Sequence, residues 1–106
     1  MADATEMVLG FDLGGTKMLA CVVAPDGEIV SRVKTKVETG DSDAVFSDMV
    51  KTMEEAIDEA GIKPKELRAA GVAVPGPADL ARGVVIATPN LPFRDFPLRE
   101  KLQKQF

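Results

Sequence analysis

The stretch that decides the fold is Val8-Leu-Gly-Phe-Asp-Leu-Gly-Gly-Thr-Lys-Met-Leu-Ala-Cys-Val-Val23. Two apolar, β-prone runs flank a pair of glycines, which predicts a strand, a tight turn and a second strand. Because glycine adopts backbone angles closed to other residues and has no Cβ, an anion can approach the backbone N–H groups of such a turn. The donors available here are the N–H groups of Gly14 and Gly15, the Thr16 hydroxyl and the Lys17 ammonium. The turn is therefore a candidate phosphate site, and Asp12 at the end of the first strand is a candidate direct or indirect partner for Mg²⁺.

Two better-known phosphate loops do not match this stretch. Walker A requires Gly-x-x-x-x-Gly-Lys-Ser/Thr, and although the spacing from Gly10 to Gly15 fits, the next pair is Thr16-Lys17, in reversed order. The dinucleotide fingerprint requires a third glycine and a following helix, whereas residues 21–23 continue as strand. A plain hairpin with a Gly-Gly turn is the structural alternative to a phosphate site.

Composition limits the class of protein. The 106 residues are 45% hydrophobic, which suits one globular domain, and the net charge of −4 argues against non-specific nucleic-acid binding. The single cysteine, Cys21, cannot form an internal disulfide and is expected to be a buried thiol in a reducing cytoplasm. The absence of histidine removes the commonest general base and metal ligand. Residues 1–6 carry no export or membrane signal and are expected to be disordered, with a single lobe over 7–106.

The next part of the chain predicts a hairpin, a third strand and a helix. Residues 25–27, Pro-Asp-Gly, are a turn signal, and residues 28–37 alternate between an apolar and a basic face. The residues expected on the apolar face are Ile29, Ser31, Val33, Thr35 and Val37. The outward lysines suit a strand at the sheet edge, whereas a nucleic-acid strip is disfavoured because no aromatic residues are interleaved. Apolar residues then recur at helical spacing over 42–60, with Asp41 or Ser42 as N-cap.

Residues 67–74 form a nearly continuous run of small apolar residues. Such a run is typical of a strand covered on both faces, and its helical crossover predicts that it lies parallel to a neighbour. The loop Pro75-Gly76-Pro77 follows, and ligands in open α/β sheets lie beyond the carboxyl ends of the strands. We therefore expect this loop, Asp12 and the Gly14-Gly15 turn to share one edge of a cleft.

The end of the chain predicts one more strand and one more helix. Residues 84–87 predict a returning strand, and the prolines within 88–96 argue against a helix or a central strand there. Asn90 is either an ordinary turn residue or a hydrogen-bonding group for the hydroxyls of a polyol. A final helix opens at Pro97. Because the chain stops inside this helix on an apolar residue, we expect it to be a fragment or a single lobe of a longer protein.

Three motifs, in this order, resemble the amino-terminal half of ROK-family proteins, the group that holds bacterial glucokinases and related sugar kinases. They are Gly10-Phe-Asp-Leu-Gly-Gly-Thr-Lys17, Gly71-Val-Ala-Val-Pro-Gly-Pro-Ala-Asp79 and Thr88-Pro-Asn-Leu-Pro-Phe-Arg-Asp-Phe96. The resemblance covers nearly the whole chain from Val8. It implies an α/β, ribonuclease H-like lobe, as in actin-like ATPases and hexokinases, whose mixed sheet has three antiparallel strands followed by a helix and a parallel strand.

The resemblance also implies roles for individual positions, with ATP and Mg²⁺ as cofactors. The residues that would face the ATP phosphates and Mg²⁺ are Asp12, Gly14, Gly15, Thr16 and Lys17. Those that would border a hexose are Gly76, Pro77 and Asn90, the last through a hydrogen bond to a sugar hydroxyl. Family kinases carry a catalytic aspartate in an Asn-Asp-Ala type motif and a zinc site with histidine and cysteine, and neither occurs in these 106 residues. We therefore expect no catalytic residue in this chain and, apart from the Mg²⁺ partner Asp12, no metal site, with the family's zinc site confined to a later half.

The sequence thus favours the amino-terminal lobe of a cytoplasmic, ATP-dependent, glucokinase-like hexose kinase that is inactive alone. Its expected partners are a hexose and ATP, without nucleic acid or membrane, and a homo-oligomer is possible. One alternative is the sugar lobe of a ROK-type transcriptional repressor, which the early first strand and the acidic charge disfavour. The other is a non-catalytic module that binds sugar or nucleotide.

Overall fold

The computed structural model describes residues 6–38, 40–89 and 91–106. Its main sheet is built from β1 (Val8–Leu13), β2 (Lys17–Val23), β3 (Ile29–Lys36) and β4 (Ala69–Ala73). The strand order is β3-β2-β1-β4, and the helix α1 (Ser42–Glu59) connects β3 to β4. The first three strands pair antiparallel and β4 runs parallel to β1, as the sequence predicts.

One face of this sheet is covered by α1. The helix begins after Asp41, whose Oδ1 accepts a hydrogen bond from the Ala44 N–H at 2.8 Å, so Asp41 is the N-cap of the two candidates. The Ser42 hydroxyl donates instead to the Pro92 carbonyl at 3.0 Å. The buried residues that β1, β2 and α1 contribute to the core are Leu9, Phe11, Leu13, Met18, Ala20, Val22, Val45, Met49, Met53, Ala56 and Ile57.

A β-bulge interrupts the pairing of β2 with β3. Val23 lies opposite Ile29, whereas Val22 lies opposite Ser31, so Val30 is the extra residue on β3. The bulge turns Ile29 away from the core, and this side chain is 47% exposed. The expectation that Ile29 joins the inward face is therefore wrong, while Ser31 is buried as predicted and donates a hydrogen bond to α1.

The strand β4 is exposed, which contradicts the prediction of a strand covered on both faces. Four of its five residues are exposed and Val72 is half-buried. β4 is the edge strand next to β1, and α1 packs on β1, β2 and β3. A run of small apolar residues permits burial on both faces, but the covering elements must be supplied from elsewhere, and α1 lies towards the other edge.

The remaining strands form a second, antiparallel sheet. It consists of β5 (Ala78–Asp79), β6 (Val84–Ala87) and β7 (Arg94–Phe96), in that order, and is followed by α2 (Leu98–Gln105). The predicted strand β6 and the helix after Pro97 are confirmed. The short strand β7 is not predicted by the sequence; it is an edge strand, which is compatible with prolines that argue only against a helix or a central strand.

Two expectations concern the chain as a whole. In the part of the chain that the structure describes, no helix is long and apolar enough to cross a membrane. The expected disorder of residues 1–6 falls mainly on residues outside the described ranges and stays a prediction.

Candidate functional site

Asp12 lies near the carboxyl end of β1, in register with Leu19 of β2 and Ala73 of β4. Side chains alternate along a strand, so Phe11 and Leu13 face the core while Asp12 faces the opposite side of the sheet, where it is exposed. There it borders a shallow groove of about 540 Å³. The other residues that line this groove are Gly10, Phe11, Leu19, Cys21, Val23, Ile29, Gly71, Val72 and Ala73. Because several of these side chains are small, the carboxylate stands open to a ligand.

The turn between β1 and β2 is closed by a hydrogen bond between its own ends. The Gly14 N–H donates to the Lys17 carbonyl at 2.8 Å, so this N–H is not one of the donors that the sequence offers to an anion. A Cβ on Gly14 would lie 2.8 Å from the same carbonyl oxygen. Neither Gly14 nor Gly15 has a positive φ. The turn therefore requires glycine at position 14 for close approach of the backbone, and the expected need for unusual backbone angles is wrong.

The tip of the turn is open. No atom lies within 4 Å of the position that a Cβ on Gly15 would take, and Gly15, Thr16 and Lys17 are exposed. The Thr16 carbonyl accepts a hydrogen bond from the Val37 N–H at 2.8 Å, which ties the turn to the end of β3. The candidate anion donors are thus the N–H groups of Gly15 and Thr16, the Thr16 hydroxyl and the Lys17 ammonium.

A second lysine lies next to this turn. The register of β2 with β3 places Lys36 directly opposite Lys17, and both side chains are exposed. From the sequence alone, Lys36 is predicted only as an outward residue of an edge strand. Regular pairing counted from the turn at 25–27 would place Thr35 opposite Lys17, and the bulge moves Lys36 there instead.

The predicted sugar loop is packed on the end of β6. Gly76 has a φ of +96°, and a Cβ at this position would collide with the Ala87 carbonyl oxygen. The Ile86 N–H donates to the Pro77 carbonyl at 3.0 Å. Gly76 and Pro77 are therefore held against the strand that leads into the segment after residue 87.

That segment contains the third predicted sugar residue. Asn90 itself lies outside the described residues, so its role stays a prediction. Its neighbour Pro89 lies close to Gly76, since a Cβ added to Gly76 would be 3.3 Å from Pro89 Cδ. Over the described ranges, the buried Thr88 hydroxyl has no hydrogen-bond partner, which leaves an unused donor and acceptor two residues before Asn90.

Asp12 with the β1–β2 turn, and the loop that contains Gly76 and Pro77, follow the carboxyl ends of the neighbouring strands β1 and β4. Asp12 is in register with Ala73, and the sugar loop begins two residues later at Pro75. Among the residues that the structure describes, no three histidine, cysteine or acidic side chains cluster as metal ligands. Mg²⁺ at phosphate sites commonly uses one or two carboxylates together with the phosphates, and the lone exposed Asp12 fits that mode.

The sequence profile of the ROK family matches residues 8–106. The chain is similar to a glucokinase of Pyrobaculum calidifontis, with 40% identity over 91% of this chain and 28% of that protein. It is also similar to a putative xylose repressor of Caldicellulosiruptor sp., with 27% identity over 94% of this chain and 25% of that protein. The family thus contains kinases and repressors that match the same stretch.

A solved structure shares the fold. The crystal structure of a ROK family glucokinase from Streptomyces griseus, in complex with glucose and AMPPNP, superposes with a TM-score of 0.80. The match has 27% identity and covers 93% of this chain and 30% of that one. It confirms the predicted α/β, ribonuclease H-like fold with a mixed sheet. The chain spans less than a third of the length of these proteins. Since the family profile covers nearly every residue, the chain belongs to the ROK family.

Proposed function

We propose that this chain is the ATP-binding lobe of a glucokinase-like hexose kinase. The observation that supports the proposal is the register of β1 with β4, in which exposed Asp12 lies opposite Ala73, two residues before the loop that contains Gly76, while the open turn directly follows β1. The similarity to a glucokinase that was crystallised with glucose and AMPPNP supports it. So does the 40% identity to the P. calidifontis glucokinase.

Each residue of the turn would have a separate task. The N–H groups of Gly15 and Thr16 and the ammonium of Lys17 would hold the phosphates of ATP, since backbone donors at a turn and a nearby cation both favour an anion. Asp12 would hold Mg²⁺, which neutralises phosphate charge when bound. The hydrogen bond that closes the turn would keep these donors in place without ligand, which lowers the ordering cost of binding.

The sugar side would be formed by the loop of Gly76 and Pro77 together with Asn90. Because this loop follows the strand in register with Asp12, a hexose hydroxyl there would lie next to the phosphates. Attack by that hydroxyl requires a base that accepts its proton. The family's Asn-Asp-Ala type motif is absent from the 106 residues, so we propose that the chain binds both substrates but does not transfer phosphate by itself.

The test is binding by the 106-residue chain, followed residue by residue in amide NMR spectra. MgATP is expected to shift the signals of Gly15 to Lys17, and glucose those of Gly76. Asp12→Asn should weaken MgATP binding about tenfold, equivalent to ~1.4 kcal/mol. Asp58→Asn, at an exposed position on α1, is the matched control and should bind as the wild type does. Shifts confined to other regions, or glucose phosphorylation by this chain alone, would contradict the proposal.

A second candidate is the sugar-binding lobe of a transcriptional regulator. The similarity to a putative xylose repressor favours it, because that match covers the same part of the chain. A regulator lobe would respond to sugar without needing a phosphate site. Binding of a sugar with no effect of MgATP on the signals of the turn would therefore favour the regulator over the kinase.

A further inference from the structure

Lys17 and Lys36 stand side by side at the open end of the β2–β3 pair. The carbonyl of Lys17 accepts its hydrogen bond from Gly14 on the β1 side, whereas the carbonyl of Thr16 accepts from Val37 on the β3 side. Lys17 and Lys36 therefore form a non-hydrogen-bonded pair, the kind in which the Cα atoms approach to about 4.5 Å and the side chains are closest. The bond from Val37 fixes this register next to the turn.

Lys17 and Lys36 carry like charges at directly opposite positions. Like charges directly opposite one another destabilise an antiparallel pair. On the same face, Asp12 lies diagonal to Lys17, and Lys34 lies two residues before Lys36; Glu38 follows Lys36 by two residues in the sequence, beyond the end of β3. Within the described residues, none of the ion pairs closer than 4.0 Å includes Lys17 or Lys36. An anion between the two ammonium groups would remove this repulsion.

We propose that Lys36 is a second phosphate-binding lysine, which holds the polyphosphate of a nucleotide together with Lys17. This inference rests on the proposed nucleotide site at the β1–β2 turn. The competing role for Lys36 is protection of the sheet edge, which any outward charge on β3 performs. Edge protection does not require a position beside the turn, and Lys34, opposite the apolar Leu19, would serve equally well.

The two lysines of β3 provide matched variants, Lys36→Met and Lys34→Met. Both positions are exposed, so the melting temperatures should stay close to that of the wild type. Binding of tripolyphosphate, MgATP and adenosine is measured by calorimetry at an ionic strength of about 0.15 M, where a Debye length of about 8 Å screens charges that do not contact the anion. K36M should lower the affinity for tripolyphosphate and for MgATP about fivefold, which is the upper range for one exposed ion pair. It should leave the affinity for adenosine unchanged. K34M should change affinity less than about twofold.

The outcomes separate this inference from the function on which it rests. Equal effects of K36M and K34M, or unchanged MgATP binding by K36M, would overturn the role of Lys36 while the nucleotide site stands. Loss of tripolyphosphate binding in K36M, in a chain that does not bind MgATP, would support the phosphate role and refute the nucleotide site. A wild-type chain that binds neither compound would overturn both.

Discussion

The most informative single change for the site is Gly76→Ala, because two separate costs meet at this residue. Gly76 has a φ of +96°, so the backbone of an alanine would be strained here even if there were room for its methyl group. The new Cβ would also collide with the carbonyl oxygen of Ala87, a backbone atom that cannot rotate away. Relief of the collision would displace the sugar loop from β6 and weaken the hydrogen bond from Ile86 to Pro77.

The two costs can be assigned approximate magnitudes. Left-handed backbone strain for a residue with a Cβ costs about 1–2 kcal/mol. The weakened hydrogen bond adds about 1 kcal/mol, and residual strain adds about as much again. A total of about 3–4 kcal/mol would lower the melting temperature by about 12 °C or more in a domain of this size. Because the free energy of unfolding of native domains is about 5–15 kcal/mol, the variant should still fold at room temperature.

The matched control is Gly27→Ala in the turn between β2 and β3. Gly27 has nearly the same φ, +92°, but no atom lies within 4 Å of its added Cβ. It should therefore lose only the strain cost of about 1–2 kcal/mol. Both variants are compared by urea and thermal unfolding followed by circular dichroism. Equal losses in the two variants would refute the close packing of the sugar loop on β6.

Changes at three further side chains, those of Asp41, Met53 and Lys101, test the scaffold. Asp41→Ala should lower the free energy of unfolding by about 1 kcal/mol in urea titrations, whereas the Asp41→Asn cap should be nearly neutral, and equal losses would exclude capping by this side chain. Met53→Ala should cost about 2–5 kcal/mol because Met53 is fully buried, and a loss below 1 kcal/mol would show that the core can collapse around it. Lys101→Gln should cost about 0.5–1 kcal/mol, since its ammonium lies 5.4 and 5.9 Å from two phenylalanine ring centroids. Lys104→Gln breaks only a surface pair with Glu100 at 3.5 Å, and a thermal melt should show the smaller loss there.

Much of the fold could be predicted because its signals are local. The apolar residues of α1 recur with the helical period, and those of β1 and β2 flank a glycine turn, so element type and pairing follow from neighbouring residues. The parallel placement of β4 follows from the helical crossover. The exposure of β4 could not be predicted in the same way, because it depends on which other element covers the edge of the sheet.

The candidate site was predictable in its residue types but not in its detailed geometry. Asp12 and the open tip of the turn lie where the sequence places them. The sequence could not show that the Gly14 N–H closes the turn, because this depends on the hydrogen-bond pattern between Gly14 and Lys17. The position of Lys36 depends instead on the register of β2 with β3.

The register of β2 with β3 is determined by which residues of β3 face the core, and the same register sets the position of Lys36 beside the turn. If β3 paired regularly from the turn at 25–27, Met18 would lie opposite Lys34. Such a shift of one residue would move every side chain of β3 to the opposite face of the sheet. Lysine would then point into the core and Val33 into solvent, which is unfavourable for both. The bulge at Val30 restores Val33 to the interior and, by the same shift, brings Lys36 rather than Thr35 opposite Lys17. The conflict between turn position and face pattern is present in the sequence, so a bulge could have been inferred there, and with it the pair of lysines beside the β1–β2 turn.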